Sequence, residues 1–402
     1  MCTPNVTPPV SALRASSSVA IDGGSFIVVA SGHADGPAQP LVRFLNDHRA
    51  ARVSVLTHPL VPEGPGEHWF DQFIDGVAQG RRIRTLPNKP PFTYGFDPFV
   101  PFHIPRADAW IGFNCLATAQ GLLRRRARLV RHVVHWNVDF VPQRFGASAM
   151  TAAYEWLDRR CCMRSDGRVE LSEAAMGGRL DAYGLTRDDC PAEIIPMGAW
   201  NAESPKTSGA NLANPRIVFL GHLVERMGLA LLVETLAVLK SRGVDFRADI
   251  IGGGPLLSDV RLRCSDAGLG DVVTIHGFVA DFADVARVLS EAVVAVAPYE
   301  VDEHSFSRFA DPGKLKAYLG AGLPIVLTDV PPNADELSRL GGAVIVRPQA
   351  GAFADEIQTM LLDHALWQRR HQAALEYANR FDWDMLLSRS LPAVGIKLSD
   401  AR

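Results

Sequence analysis

The sequence predicts an α/β protein made of two doubly wound domains that face each other across a cleft. Short β-branched runs alternate with helical stretches along most of the chain, which implies mainly parallel sheets covered on both faces. The alternation starts afresh after a polar, proline-containing stretch at 201–215, NAESPKTSGANLANP. A length of 402 residues agrees, because about 150 residues per domain gives two to three domains.

In the first half, SFIVVASG, ARVSVLTH, DAWIGFN and LVRHVVHWN read as strands that end in Gly or polar turns. AQPLVRFLNDHR and SAMTAAYEWLDRRCC carry the apolar spacing of helices. Residues 1–24, rich in Pro, Ser and Thr, read as a disordered leader with no secretory pattern, so order is expected to begin near Phe26. The first domain is set at 25–200 and the linker at 201–215. The second domain, 206–380, opens with the strand PRIVFLGHL and the helix GLALLVETLAVLKSRG. The strands FRADIIGGGP, VVTIHGFV, AVVAVAPY, LPIVLTD and GGAVIVRP follow, and residues 381–402 are expected to return to the first domain as a helix.

Composition narrows the function. Lys and Arg total 41 against 44 Asp and Glu, a net charge of −3, which offers no general basic surface for nucleic acid. No run of 18 apolar residues is present to span a membrane. The six cysteines show no metal-ligand spacing and too sparse a pattern for a disulfide framework. A reduced, cytoplasmic protein without a metal or other cofactor is expected.

Glycine-rich turns after strands are the chemically informative feature. Gly221 ends the first strand of the second domain, and the Gly252–Gly254 run, followed by Pro255, ends the next. Bare backbone N–H groups in such turns suit a diphosphate. The turn from Ala310 through Asp311, Pro312 and Gly313 to Lys314 opens a helix whose amides could meet sugar hydroxyls. The HGFV segment, with Gly277, Phe278 and Val279, would set backbone groups beside a nucleobase. A nicotinamide enzyme fits poorly, since neither domain's first strand leads into GxGxxG with an acid about 20 residues on.

Together IVFLGHLVERMG (217–228), IIGGGP (250–255), VTIHGFV (273–279) and DPGKLKAYLGAGLPIVLTD (311–329) resemble the retaining GT-B glycosyltransferases of family 4, in the branch with a DPxKL donor loop. ANRFDWDMLL (378–387) extends the resemblance, which is good over about 205–390 and weaker over 25–200. It implies two Rossmann-like domains, the first for an acceptor and the second for a nucleoside diphosphate sugar, and transfer with retention at the sugar carbon. Four residues depart from the family pattern. His222 and Met227 stand where Arg and Lys usually grip the diphosphate, Ala317 replaces the ribose-binding Glu, and Phe309 replaces its partner acid. Nearby Arg226, Lys314 and Lys316 are the candidate substitute cations. The alternatives are an unusual donor or an inactive relative.

In the first domain the resemblance points to His135 as a residue that reaches the donor sugar, against a hydrogen-bonded core histidine. Asp139 either orients the acceptor or pairs with Arg144. Gly32 and His33 replace the family's Gly-Gly loop on the acceptor side, and Asn114 is a further acceptor candidate. Ser172 and Glu173 read as a helix N-cap and its first turn. The run LLRRRARLVRH (122–132) reads as a solvated face rather than a membrane patch. NKPPFTYGFDPFVPFHIP (88–105) is a candidate acceptor lid or homodimer contact.

The expected activity is glycosyl transfer from a nucleoside diphosphate sugar to a small polar acceptor such as a thiol or aminocyclitol of specialised metabolism. The second acceptor class is a polysaccharide or lipid-linked sugar. The competing readings are a catalytically inactive sugar-nucleotide-binding or scaffold protein, and a sugar-phosphate enzyme of similar build.

Overall fold

The computed structural model describes residues 18–33, 36–59, 66–86, 102–301 and 308–398. The chain divides into a unit of residues 1–195 and 387–402 and a unit of residues 196–386.

The second unit holds a six-stranded parallel sheet of β10 (Arg216–Leu220), β11 (Arg247–Ile251), β12 (Val273–Gly277), β13 (Val294–Ala297), β14 (Ile325–Leu327) and β15 (Val344–Ile345). Its order, β12-β11-β10-β13-β14-β15, is the 3-2-1-4-5-6 order of dinucleotide-binding sheets. Both faces are apolar. Ile217 and Phe219 of β10 enter one core, with helices Leu229–Ser241 and Ala350–Leu362, while Val218 enters the other with Leu315 and Leu319 of helix Gly313–Gly320. Such double burial explains why these strands read as unbroken hydrophobic runs.

The order in which strands are added reverses between β10 and β13, so the crevice beyond their carboxyl ends is the topological switch point. Three turns crowd beside it. Gly221 N donates to Ile251 O (3.0 Å), Leu223 N to Gly253 O (2.8 Å) and Gly252 N to Gly277 O (2.8 Å). Gly252 has φ +146°, and a Cβ there would lie 1.9 Å from Gly221 O.

The first unit has an eight-stranded sheet in the order β5-β4-β3-β2-β6-β7-β8-β9. These are β2 (Ser25–Ser31), β3 (Arg52–His58), β4 (Glu67–Ile74), β5 (Val77–Thr85), β6 (Ala107–Gly112), β7 (Val130–Trp136), β8 (Gly167–Glu170) and β9 (Glu193–Ile194). From β3 to β9 neighbours run parallel, but β4 and β5 form an antiparallel hairpin at one edge, which the sequence reading missed. Its signal is Asp75-Gly76, both at positive φ, the pair favoured in a two-residue hairpin turn.

Three boundaries differ from expectation. Order begins before Phe26: β1 (Val19–Ala20) pairs with β16 (Ile396–Lys397), and Ile21 is fully buried. Apolar side chains in an otherwise polar leader made that pairing favourable; residues 1–17 lie outside the described residues. The polar stretch 201–215 is part of the second unit rather than a free linker. Its polar groups bond inward, Asn201 Nδ2 to Ala378 O (2.6 Å) and Lys206 Nζ to Gly320 O (2.6 Å), because backbone acceptors there require partners. Residues 381–386, assigned to the returning tail, belong to the second unit as well, and the return begins at 387.

Replacing Gly252 by Ala forces either the strained φ or a displaced Gly221 carbonyl. We expect a loss of about 1–3 kcal/mol, read as a lower urea midpoint with unchanged slope.

Candidate functional site

Lys314 occupies the switch point. It lies in the first turn of helix Gly313–Gly320, and its Nζ sits 4.6 Å from the centroid of the Phe219 ring and 4.2 Å from that of Tyr299. A Cβ placed on Gly221 would be 3.6 Å from this ammonium, so the cation lies against the first glycine turn. No carboxylate pairs with it among the described residues; its one polar contact is Met227 Sδ at 3.7 Å. Burial pushes its pKa down from 10.5 to about 7. The Tyr299 hydroxyl, also buried, has no hydrogen-bond partner among the described residues.

Lys316 has a different fate. Its ammonium is buried in an ion pair with Asp311 Oδ1 and lies 4.6 Å over the Phe381 ring, while Asp311 Oδ2 accepts from Met197 N at 2.6 Å. The structure therefore commits Lys316 and Asp311 to each other, and the second expected substitute cation is spent. Residues two apart on a helix point to different sides, which spacing along the sequence could not reveal.

The remaining residues of the second unit lie around the same turns. His222 and Pro255 are exposed, and Phe278 is 77% exposed with its Cβ above Gly253. Arg226, half-buried, has its carbonyl bonded by Glu300 N (3.1 Å). Gly254 (φ +152°), Gly277 (φ +72°) and Val279 complete the β11 and β12 ends. Ala310, Pro312 and Gly313 are half-buried at the start of the Lys314 helix, and Tyr318 from that helix fixes the end of β10 by accepting from Leu220 N at 2.6 Å. Ala317, where the family carries Glu, is buried.

In the first unit, His135 and Asp139 take the structural alternatives left open for them. His135 is a core histidine, fully buried, with Nδ1 2.7 Å from Thr118 Oγ1 and Nε2 3.1 Å from Asp158 Oδ1. Both nitrogens are occupied, so it has nothing to offer a sugar. Burial, the largest single influence, would lower its pKa, but Asp158 and the Cys162 thiol together outweigh it and raise the value to about 9. Arg179, Tyr183 and His135 share Asp158, whose carboxyl is held far below the ordinary range despite burial. Asp139 pairs with Arg144, the structural alternative. Sequence gave the right residue types but could not show that helix Ala149–Arg164 places Asp158 beneath His135.

Gly32 N donates to His58 O (2.8 Å), and His33 Nε2 bonds Glu67 O (3.0 Å) beside the Trp69 ring. Asn114 caps helix Cys115–Arg126, accepting from Ala117 N, and also donates to Ser31 Oγ, both at 2.8 Å. Ser172 Oγ caps its helix as expected. From the basic run, Arg124 donates to Ile104 O, while Arg125 pairs with Asp166 and Arg131 with Asp108. Of the aromatic segment 88–105, residues 88–101 lie outside the described residues.

His135, Asp158 and Cys162 place one potential metal-ligand atom each within 4.8 Å of one another. The Arg179 guanidinium already supplies the positive charge at Asp158, so this trio reads as a charge network rather than a metal centre. The described cysteines, Cys115, Cys161, Cys162, Cys190 and Cys264, are buried and free. No helix among the described residues is long and apolar enough to cross a membrane.

Residues 214–363 match the family model described as glycosyl transferases group 1. The matched residues lie wholly within the second unit. Phosphatidyl-myo-inositol mannosyltransferase of Mycobacterium leprae is 27% identical over 229 residues, 56% of this chain and 57% of that protein. The amylovoran biosynthesis glycosyltransferase AmsK of Erwinia amylovora is 29% identical over 155 residues, 38% of each. The chain thus spans little more than half the length of the curated relatives it matches, or less. Among solved structures, sucrose-phosphate synthase of Thermosynechococcus elongatus superposes with TM-score 0.67 at 17% identity, covering 90% of this chain and 96% of that one. Anabaena HepE in complex with UDP-glucose gives TM-score 0.66 at 16% identity, covering 92% and 99%. At such identities the likeness is one of fold, and that fold is GT-B.

Raising a histidine's folded pKa adds stability that is complete below the unfolded value of 6.5 and fades as pH climbs through about 9. The difference in urea midpoint between wild type and His135→Gln should therefore narrow from pH 6 to about pH 10. Asp158→Asn, which removes one of the two carboxylates that balance Arg179 and the carboxylate partner of His135, is expected to lose about 3–5 kcal/mol at pH 7.

Proposed function

We propose that the chain is a glycosyltransferase that uses a nucleoside diphosphate sugar, with the diphosphate held by the glycine turns and Lys314 of the second unit. The observation that carries the reading is a half-buried ammonium with no carboxylate partner among the described residues, set against a glycine turn at the switch point of a dinucleotide-type sheet. A cation there is poised for an anion, and since the Gly221, Leu223 and Gly252 N–H groups are spent on the rim, any backbone help must come from the other amides of the turns. When the bond from the sugar carbon to the phosphate oxygen breaks, negative charge grows on that oxygen, and a fixed cation stabilises it most at that moment.

Transfer with retention is the reading the motif resemblance supports. The acceptor attacks from the face the phosphate leaves, a new bond forms to the sugar carbon, and the departing phosphate oxygen takes the acceptor's proton. No protein base is required, which agrees with His135 and Asp139 being occupied elsewhere. For the acceptor we favour a polysaccharide or lipid-linked sugar over the small polar metabolite. One relative is named for phosphatidyl-myo-inositol and another for amylovoran biosynthesis.

Thermal-shift titration with UDP, GDP, dTDP and ADP, with inorganic phosphate as control, tests the donor site. One nucleotide should stabilise the chain by RT ln(1 + [L]/Kd), about 2.7 kcal/mol at a hundredfold excess over Kd. Silence with all four would overturn the reading. Lys314→Ala should weaken the winning nucleotide about 10–100-fold, the range for a lost charge-assisted hydrogen bond. Wild-type affinity should also fall between about pH 7.5 and 9, where phosphate is already ionised and the lysine beside it, with its pKa of about 7, loses charge. The variant should lack that slope.

A further inference from the structure

A second cavity lies wholly within the first unit, a groove of about 550 Å³ between helix Ala38–Asp47 and the β4–β5 hairpin. That size falls within the range of small-molecule sites. It exists because the helix packs on β2 and β3 while the hairpin carries the sheet further out, leaving one face of β4 uncovered. Alternation along β4 puts Trp69, Asp71 and Phe73 on that face. Trp69 is pinned by the His33 ring and the Arg81 guanidinium, each 4.0 Å from its ring centroid.

The groove's charges cancel. Arg81, opposite Asp71 on β5, grips it through two bonds of 2.8 and 2.9 Å, and Arg43 on the helix wall faces Asp47 at 3.6 Å. Two cations and two anions in complementary pairs leave no surplus field for an anionic or cationic ligand. They do set donors and acceptors side by side, which suits neighbouring hydroxyls that donate and accept at once. Asn46 Oδ1, on the same wall, is buried without a hydrogen-bond partner among the described residues and adds an acceptor. Half-buried aromatic rings beside such pairs match the C–H faces of a sugar ring.

We infer that this groove binds an uncharged oligosaccharide of two to three rings. The inference concerns the first unit alone and holds whether or not the second unit transfers sugar.

The test is calorimetric titration of the full chain with neutral trisaccharides (gluco-, manno- and galacto-linked) and with a trigalacturonate of matched size. At least one neutral trisaccharide should bind, at least tenfold more tightly than the galacturonate. Phe73→Ala and Arg81→Ala should each weaken it tenfold or more while leaving the nucleotide thermal shift unchanged. Arg81 is 46% exposed, so its replacement keeps the test decisive if Phe73→Ala fails to fold. Absence of neutral binding, preference for the galacturonate, or binding indifferent to Arg81→Ala would each overturn the proposal.

Discussion

The close approach of Gly252 to Gly221 governs the second unit. A side chain at Gly252 would collide with the Gly221 carbonyl, so β10 and β11 can end together only because that position is glycine. The same contact lets Leu223 N reach Gly253 O and Gly252 N reach Gly277 O, tying three strand ends into one rim. Tyr318 then fixes the end of β10 from the Lys314 helix. The lysine's placement against a glycine turn is a consequence of backbone packing.

Lys314 and Lys316 show how one helix turn separates structure from chemistry. Lys316 is deeply buried and has Asp311 to compensate it, so its charge is spent on the fold. Lys314 is desolvated, and among the described residues aromatic faces and a thioether surround its ammonium. Cation–π contact is worth about 0.5–2 kcal/mol, too little to restore an ordinary lysine pKa, and the value stays near 7. Such a group gains from an incoming anion what the protein does not provide. On the proposed reading, the loss of the family's arginine, lysine and glutamate leaves one strong electrostatic contact where several stood.

Much of the fold was legible because hydrophobic period and glycine turns are local signals. Strands β10 to β15 sit where their apolar runs lie, and the glycine turns end β10 and β11. The β4–β5 hairpin escaped because polar and apolar residues come in pairs along β4 rather than alternating and β5 is exposed along its length, leaving Asp75-Gly76 as the main clue. The site was legible by type more than by role. Lys314 was readable from its motif, whereas the occupation of His135 by Asp158, and of Asp139 by Arg144, depends on tertiary neighbours that no spacing encodes.

Satisfaction of ionisable groups separates the roles better than their identity does. In the first unit His135, Asp158, Arg179 and Glu170 form a buried network whose charges answer one another, with Asn137 donating to Glu170 at 2.9 Å. A network of this kind rigidifies a core, since removing one member strands the rest. The groove over β4 is balanced too, but half-open, so its donors and acceptors can be shared with a neutral ligand without leaving a charge exposed in the interior. Lys314, by contrast, is a half-buried charge with no carboxylate beside it among the described residues. A buried cation lacking a partner is destabilising to the empty protein, and its persistence at the switch point is explained if an anion regularly occupies the place beside it.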